Sequence, residues 1–140
     1  KPGLTAVWMD NLSREMLYDA LKSRGCYATD GQRIVCEATV DGLDGGSLGR
    51  LSDVGGARRI RVSAAAPQTI SRISIIRNGQ DIHSVKPDEW KTTFEFTDEV
   101  PVAQIALSPT PSHPEPFAYY YVRISCESGA RAWSSPVWFS

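Results

Sequence analysis

A change in the spacing of apolar residues near position 32 constrains the fold of this sequence more than any other feature. From Gln32 onward, apolar residues recur at every second position, and glycine, proline, asparagine and aspartate separate the apolar segments. A period of two is typical of half-buried β-strands, and short strands separated by turns are typical of antiparallel sandwiches. We therefore predict a mostly β chain that folds as an Ig-like antiparallel β-sandwich of about seven strands.

The segment before this change has the pattern of an amphipathic helix. Within residues 12–24, three apolar residues share one helical face, namely Leu17, Ala20 and Leu21. Ser13 is a suitable N-cap, and Gly25 is expected to take the left-handed position after the helix. We predict one short helix there. The chain then divides into an N-terminal arm, residues 1–31, and a β-sandwich domain, residues 32–140.

Several boundaries in the β region follow from glycine and proline. Pro67 is expected to end a strand over Arg59–Ala66, because proline donates no ladder hydrogen bond. Val102–Leu107 is predicted to be a further short strand. Glycine is frequent in Gly42–Gly56 and proline in Ser108–Pro116, so both segments are predicted to be loops.

The first clear hairpin signal is the dipeptide Asn78-Gly79. Asn-Gly is the preferred pair for a two-residue type I′ turn. This turn predicts that Ile75 pairs with Ile82, and that His83 lies on the opposite face of the hairpin.

A second hairpin is predicted at the C-terminus. A two-residue turn at 128–129, with the sequence Ser-Gly, predicts that Ile124 pairs with Trp133 and that Tyr119 pairs with Trp138. Trp133 then belongs to the core face of the hairpin.

The other face of the C-terminal hairpin is the candidate binding face of this sequence. It carries Tyr119, Tyr121, Arg123 and Trp138. Such a face can stack a sugar ring or dock on a neighbouring domain, and it can equally be packed under a loop or against the rest of a larger protein.

The three cysteines leave two interpretations open. Cys26, Cys36 and Cys126 are an odd set, so at least one thiol is free. Cys36 and Cys126 each fall among apolar residues of a strand pattern. They are therefore either ordinary buried thiols or one buried inter-sheet disulfide.

No catalytic chemistry can be assigned from the residues alone. The two histidines, His83 and His113, are far apart in sequence, and neither a nucleophile triad, nor a metal-ligand spacing, nor a phosphate loop is present. We predict no catalytic, metal-binding or cofactor-binding residue in this chain.

The charge and hydropathy of the chain bear on its partners. The formal net charge of −1 gives no basic footprint for nucleic acid or anionic lipid, so we expect neither partner. No apolar run reaches the roughly 18 residues of a membrane span, and the first residues, Lys1 to Leu4, lack the apolar region of a signal peptide, so we expect neither kind of segment in this stretch of sequence. We expect a soluble domain and leave its compartment open.

Two motifs resemble a known family. The segment 12–31 contains AL-x-x-R-x-x-YAT-x-G and resembles the helix and signature that end the metal-dependent barrel of PHP-type (polymerase and histidinol phosphatase-like) phosphoesterases. It is most similar to a large, poorly characterised branch of these amidohydrolase-like proteins, labelled a domain of unknown function. The stretch 120–138, YYVR followed by AWSSPVW, is similar to the terminal pattern of the same branch.

The resemblance implies that catalysis resides upstream of this chain. Family members hydrolyse phosphate or related esters with two or three divalent metals, Mn, Zn or Fe, held by a His, Asp and Glu cluster. No ligand of that cluster can be carried over to this chain. The chain begins with Lys1 rather than methionine, so we expect a fragment that starts just after the active site. Tyr27 and Thr29 match the signature and are expected at the rim of the barrel.

We therefore expect a non-catalytic C-terminal accessory domain of a larger metal-dependent hydrolase. Its expected partner is the missing N-terminal catalytic domain, with self-association as a further expectation. The alternative is a stand-alone module that binds glycans or proteins through its aromatic face.

Overall fold

The computed structural model describes residues 2–51 and 56–140. In chain order the elements are β1 (Leu4–Val7), α1 (Arg14–Lys22), β2 (Cys26–Thr29), β3 (Val35–Val40), β4 (Leu43–Asp44), β5 (Leu48–Gly49), β6 (Arg58–Arg77), β7 (Gln80–Val85), β8 (Glu89–Asp98), α2 (Val102–Ile105), β9 (Ala118–Cys126), β10 (Arg131–Ser134) and β11 (Val137–Phe139). Apart from the parallel pairing of β5 with β11, the paired strands are antiparallel, in a curled, sandwich-like sheet. The predicted mostly β, antiparallel sandwich-like fold is confirmed.

The fold is organised around β6, which spans 20 residues. Its first half pairs with β3 and β8, and its second half pairs with β7 and β9. The change of partners falls at Pro67, where the register is irregular between Ala65 and Ile70. The prediction that Pro67 ends the strand is wrong. Proline lacks a backbone N–H and is tolerated at a bulge, where the ladder is already interrupted.

The core lies between the two halves of the curled sheet. The period of two puts alternate residues of β6 and β9 inside, and β3 packs against β9 and β10 across the interior. The largest contributions come from branched aliphatic side chains that are fully buried, including Ile60, Val62, Ile73, Ile75, Val122 and Ile124. Burial of each such side chain stabilises the fold by about 1.5–3 kcal/mol.

The segment 1–31 adds two strands to this sheet. β1 pairs with β2, and β2 pairs with β10 of the C-terminal hairpin. The predicted helix is confirmed as α1, and the Ser13 hydroxyl accepts a hydrogen bond from the Met16 amide at 3.2 Å. None of the helices among the described residues is long and apolar enough to cross a bilayer.

The left-handed residue after α1 is Arg24, with φ of 61°, so the assignment to Gly25 is wrong. The helix ends at Lys22 and its C-cap is Ser23, which puts the next position on Arg24. The Gly25 amide then donates to the Ala20 carbonyl at 2.8 Å.

The first hairpin has the predicted turn and a different register. Asn78 and Gly79 have φ of 52° and 83°, as a type I′ turn requires. Ile75 pairs with His83 rather than with Ile82, because Ile82 is the extra residue of a β-bulge. The predicted position of His83 is therefore wrong, and its ring stacks on Phe96 at 4.2 Å.

The C-terminal hairpin turns over three residues rather than two. The Cys126 amide donates to the Ala130 carbonyl, and Gly129 has φ of 85°. The extra turn residue shifts the adjoining register, so Ile124 pairs with Ala132 instead of Trp133. The shift is cancelled between β10 and β11, and the predicted pairing of Tyr119 with Trp138 is confirmed.

Two predicted loops and one predicted strand have mixed outcomes. The prediction of a strand over Val102–Leu107 is wrong, because Val102–Ile105 forms the helix α2. The periodicity of so short an apolar run does not distinguish a strand from a helix. Ser108–Pro116 is a loop with one isolated bridge. The predicted loop Gly42–Gly56 contains the two-residue strands β4 and β5, and its positions 52–55 lie outside the described residues.

The three cysteines are free thiols, which decides between the two interpretations. Cys36 and Cys126 are buried, while Cys26 is half-buried. Burial raises the pKa of the Cys36 thiol to about 12, so it stays protonated and behaves as a small apolar side chain.

A buried charge network joins the two ends of β6. Arg58 and Arg77 are the first and last residues of this strand, and both contact the Asp98 carboxylate, at 3.2 Å and 2.7 Å. The Tyr120 hydroxyl donates to Asp98 at 2.7 Å and accepts from Arg58 Nε at 2.8 Å. Burial acts to raise the pKa of Asp98, but hydrogen bonds from Tyr120, Arg77, the Val100 amide and Arg58 hold it below its usual value.

We predict that Asp98→Asn lowers the free energy of unfolding by about 3 kcal/mol, because it leaves the buried Arg58 guanidinium without its counter-charge. Urea unfolding measures the loss. Glu95→Gln on the same strand is the matched control, since Glu95 faces Arg61 at 3.9 Å and both are more than half exposed. Its expected effect is below about 0.5 kcal/mol. Equal effects of the two substitutions would contradict the assignment.

The lowered pKa of Asp98 also predicts acid sensitivity. The carboxylate binds its proton more readily in the unfolded chain than in the folded one, so its contribution is complete well above pH ~4 and is lost as the pH falls through the folded pKa. Urea unfolding between pH 7 and pH 3 should show this loss. Asp98→Asn should flatten that part of the profile, and an unchanged slope would contradict the role of Asp98.

Candidate functional site

The structure brings the predicted aromatic face together on the outer surface of β9 and β11. The Tyr119 ring lies 4.8 Å from Trp138 and 6.5 Å from Tyr121. All three side chains are half-buried. Tyr119 and Tyr121 alternate with the buried residues of β9, and Trp138 lies between the two buried residues of β11, as the period of two requires. We call the set Tyr119, Tyr121, Arg123 and Trp138 the aromatic face.

Arg123 is held at one end of the aromatic face by an acid. Its guanidinium donates to Asp81 at 3.1 Å. Trp133 lies directly opposite Arg123, so it shares this outer surface, and the prediction that Trp133 belongs to the core is wrong. The three-residue turn is the physical reason, because a one-residue shift moves a side chain to the other face of a sheet. The Arg131 guanidinium lies over the Trp133 ring at 5.3 Å.

The proline-rich loop covers the other end of the aromatic face. His113 from this loop stacks on Trp138 at 5.1 Å with an angle of 11° between the rings. It also lies 4.8 Å from Phe117, whose side chain is buried. Sequence reasoning did not find this contact, because prolines interrupt any strand register that would place His113.

A cleft of about 440 Å³ opens beside Trp138. We call it the Trp138 cleft. Four separate segments of the chain converge on it: the end of α1, β5, the proline-rich loop and β11. The lining residues include Arg24, Leu48, His113, Phe117, Pro136 and Trp138.

Close packing of the loop between β4 and β5 shapes this cleft. Gly46 has φ of +93°, and a Cβ atom there would lie 2.6 Å from the carbonyl oxygens of Ser23 and Arg24. The Gly46 amide donates to the Pro136 carbonyl at 2.8 Å. Glycine therefore lets the loop touch the end of α1 and brings Leu48 beside the C-terminal strand.

Tyr27 and Thr29, the residues expected at a barrel rim, lie on β2. The Tyr27 ring is 5.6 Å from Trp8, and burial raises its pKa. The Thr29 hydroxyl is buried and donates to the Gln32 carbonyl at 2.7 Å. Tyr27 and Trp8 line a second cleft of about 270 Å³ between the arm and β3. The role of Tyr27 and Thr29 at a barrel rim stays a prediction.

The described residues do not fit a metal centre. Across residues 2–51 and 56–140, no three His, Cys, Asp or Glu side chains come close enough together to hold an ion. The buried carboxylate of Asp98 is already paired with two arginines.

The chain is similar to one family model and to proteins of three Chlamydia species. Residues 1–38 match a family described as a protein of unknown function (DUF3604). Uncharacterised proteins of Chlamydia muridarum (strain MoPn / Nigg), Chlamydia trachomatis serovar D and Chlamydia pneumoniae are 42%, 41% and 36% identical over 140 residues. No solved structure matches the chain.

The alignments cover nearly all of this chain but only a small part of each relative. Each includes 98% of this chain but 22% of the relative. The chain thus spans about a fifth of the length of the curated relatives and corresponds to one domain within longer proteins.

We predict that Gly46→Ala destabilises the chain by more than about 2 kcal/mol and disturbs the Trp138 cleft, because both the left-handed φ and the close approach exclude a Cβ. Thermal unfolding and Trp fluorescence measure the two effects. Gly56→Ala is the matched control, since a Cβ at Gly56 meets nothing within 4 Å. Comparable stability of the two variants would contradict this packing.

Proposed function

We propose that this chain is a non-catalytic accessory domain that docks through α1 against the part of a larger protein that precedes it. The observation that carries the proposal is that α1 buries none of its residues. The proposal keeps the division into an arm, residues 1–31, and a sandwich, residues 32–140, and makes the arm the docking element.

The exposed surface of α1 includes three large apolar or aromatic side chains beside its charged ones. Leu17, Tyr18 and Leu21 are 37%, 63% and 47% exposed. We call these three residues the helix surface. Within the described chain, the contacts of α1 are mainly with β1. A helix of nine residues is marginal on its own, and most helices gain stability by packing an apolar face. The helix surface therefore favours a partner.

The position of α1 in the chain supports the preceding part of the protein as that partner. The match to the family of unknown function covers residues 1–38, which contain β1, α1, β2 and most of β3. Four-fifths of the length of the Chlamydia relatives lies outside the aligned region. Within residues 1–38, β2 is hydrogen-bonded to β10, so docking at α1 fixes the position of the whole sheet relative to the preceding part of the protein.

We further propose that the larger protein is a PHP-type metal-dependent hydrolase with this chain as its cap. The support is the resemblance of segment 12–31 to the signature that ends such barrels. The divalent metals, Mn, Zn or Fe, are then held by the upstream part. The Ig-like character of the sandwich is a proposal of the same kind. Metal-dependent phosphoesterase activity in the longer protein, and none in this chain alone, is the expected result.

A second candidate function is binding of a glycan or another protein at the aromatic face. The contiguous rings of Tyr121, Tyr119 and Trp138 favour it. The stacking of His113 on Trp138 leaves less ring surface for a sugar, which is why this function ranks second. Glycan-array binding that is lost in Trp138→Ala would support it.

The docking proposal predicts the behaviour of the double variant Leu17→Ser, Leu21→Ser. Both side chains are exposed in this chain, so its free energy of unfolding should change by less than about 1 kcal/mol. The affinity for the separately produced upstream part should fall at least tenfold, because the interface then no longer buries the two leucine side chains. Calorimetric titration measures the affinity.

Trp90→Ser is the matched control for this experiment. Trp90 is 64% exposed and lies on β8, away from the helix surface. Its substitution should leave the affinity unchanged. Equal loss of affinity in the control and in the double variant would contradict docking through α1, as would the absence of any association.

A further inference from the structure

We propose that the Trp138 cleft is a binding site for a small ligand that combines a flat aromatic ring with a carboxylate. This site is separate from the helix surface and uses none of its three residues. The inference therefore does not depend on docking through α1.

The size and lining of the cleft fit a ring. Its volume of about 440 Å³ falls in the range of small-molecule sites, roughly 300–1,000 Å³. Trp138, Phe117 and His113 supply an aromatic lining, and Leu48 adds an aliphatic side chain to it. Leu48 is 70% exposed, so its side chain is available to a ligand. Flat rings pack favourably against such aromatic and aliphatic walls.

The charge of the cleft selects an anion. Among the described side chains that line it, Arg24 carries the single permanent charge. The Arg24 side chain is exposed, and in the part of the chain that the structure describes no carboxylate lies within 4 Å of its guanidinium to neutralise it. A guanidinium presents a planar fork of donors that matches the two oxygens of a carboxylate.

The backbone at Arg24 is a second and independent observation. Arg24 has φ of 61°, a conformation that is unfavourable for any residue with a Cβ, although a glycine follows it in the sequence. Gly46 fits against the backbone of Ser23 and Arg24 at this turn. The fold thus holds a charged side chain in a strained position beside an aromatic cleft, which is where binding residues are often found.

Binding of 2-naphthoate to the 140-residue chain with an amidated C-terminus tests the proposal, with 2-naphthamide as a neutral compound of nearly the same shape. Amidation removes the negative charge of the Ser140 α-carboxyl group, since Ser140 also lines the cleft. Calorimetric titration at neutral pH should show 2-naphthoate binding about tenfold more tightly than 2-naphthamide. Arg24→Gln should reduce the affinity for 2-naphthoate to that for 2-naphthamide, and Arg24→Lys should restore part of it. Leu48→Ala should weaken the binding of both ligands several-fold, and the chain should stay folded, because Leu48 is exposed.

Arg14→Gln is the matched control, since Arg14 is an exposed arginine at the other end of α1. It should leave both affinities unchanged. Three results would overturn the proposal: equal affinity for the two compounds, an unchanged affinity for 2-naphthoate in Arg24→Gln, or no binding of either compound at millimolar concentration by a chain whose circular dichroism shows that it is folded.

Discussion

The Asp98 carboxylate holds together the two ends of the longest strand in the molecule. A straight strand of 20 residues would span roughly 60 Å, yet Arg58 and Arg77, at opposite ends of β6, contact this one side chain. The strand must therefore fold back on itself, and it does so where Pro67 interrupts the ladder. Every layer of the sandwich depends on this bend, because β6 pairs with β3, β7, β8 and β9.

The outer surface of the sheet follows from the same arrangement. The second half of β6 fixes the register of β9, which buries Tyr120 against Asp98 and turns Tyr119 and Tyr121 outward. β9 in turn aligns β11 and therefore Trp138. The aromatic face and the Trp138 cleft thus depend on a charge network on the opposite side of β9.

The sequence allowed prediction of the features that depend on local chemistry. Ser13 caps α1, Asn78-Gly79 forms the type I′ turn, and alternation along β9 separates buried from outward residues, all as predicted. Features that depend on one extra residue could not be predicted. The bulge at Ile82 and the three-residue turn before Ala130 each shift a register by one, and alternating patterns give no signal for either.

Long-range contacts are the other part that the sequence did not reveal. No local sequence pattern identifies Asp98 as the partner of two arginines. Nor does any local pattern show that β6 continues through Pro67, because proline fits inside this strand only where the strand bends and its ladder of hydrogen bonds is interrupted. The Trp138 cleft is a similar case. Arg24, Leu48 and His113 come from segments that are distant in sequence, and tertiary packing alone brings them to one place.

The docking that we propose for α1 gives a structural role within a longer protein to a helix that buries none of its own residues in this chain. Hydrogen exchange of the α1 amides, compared between this chain and the full-length protein that contains it, measures docking most directly. Docking predicts that these amides exchange about a hundredfold more slowly in the full-length protein, because local opening of the helix would then also break the interface. Equal exchange rates in the two proteins would contradict it.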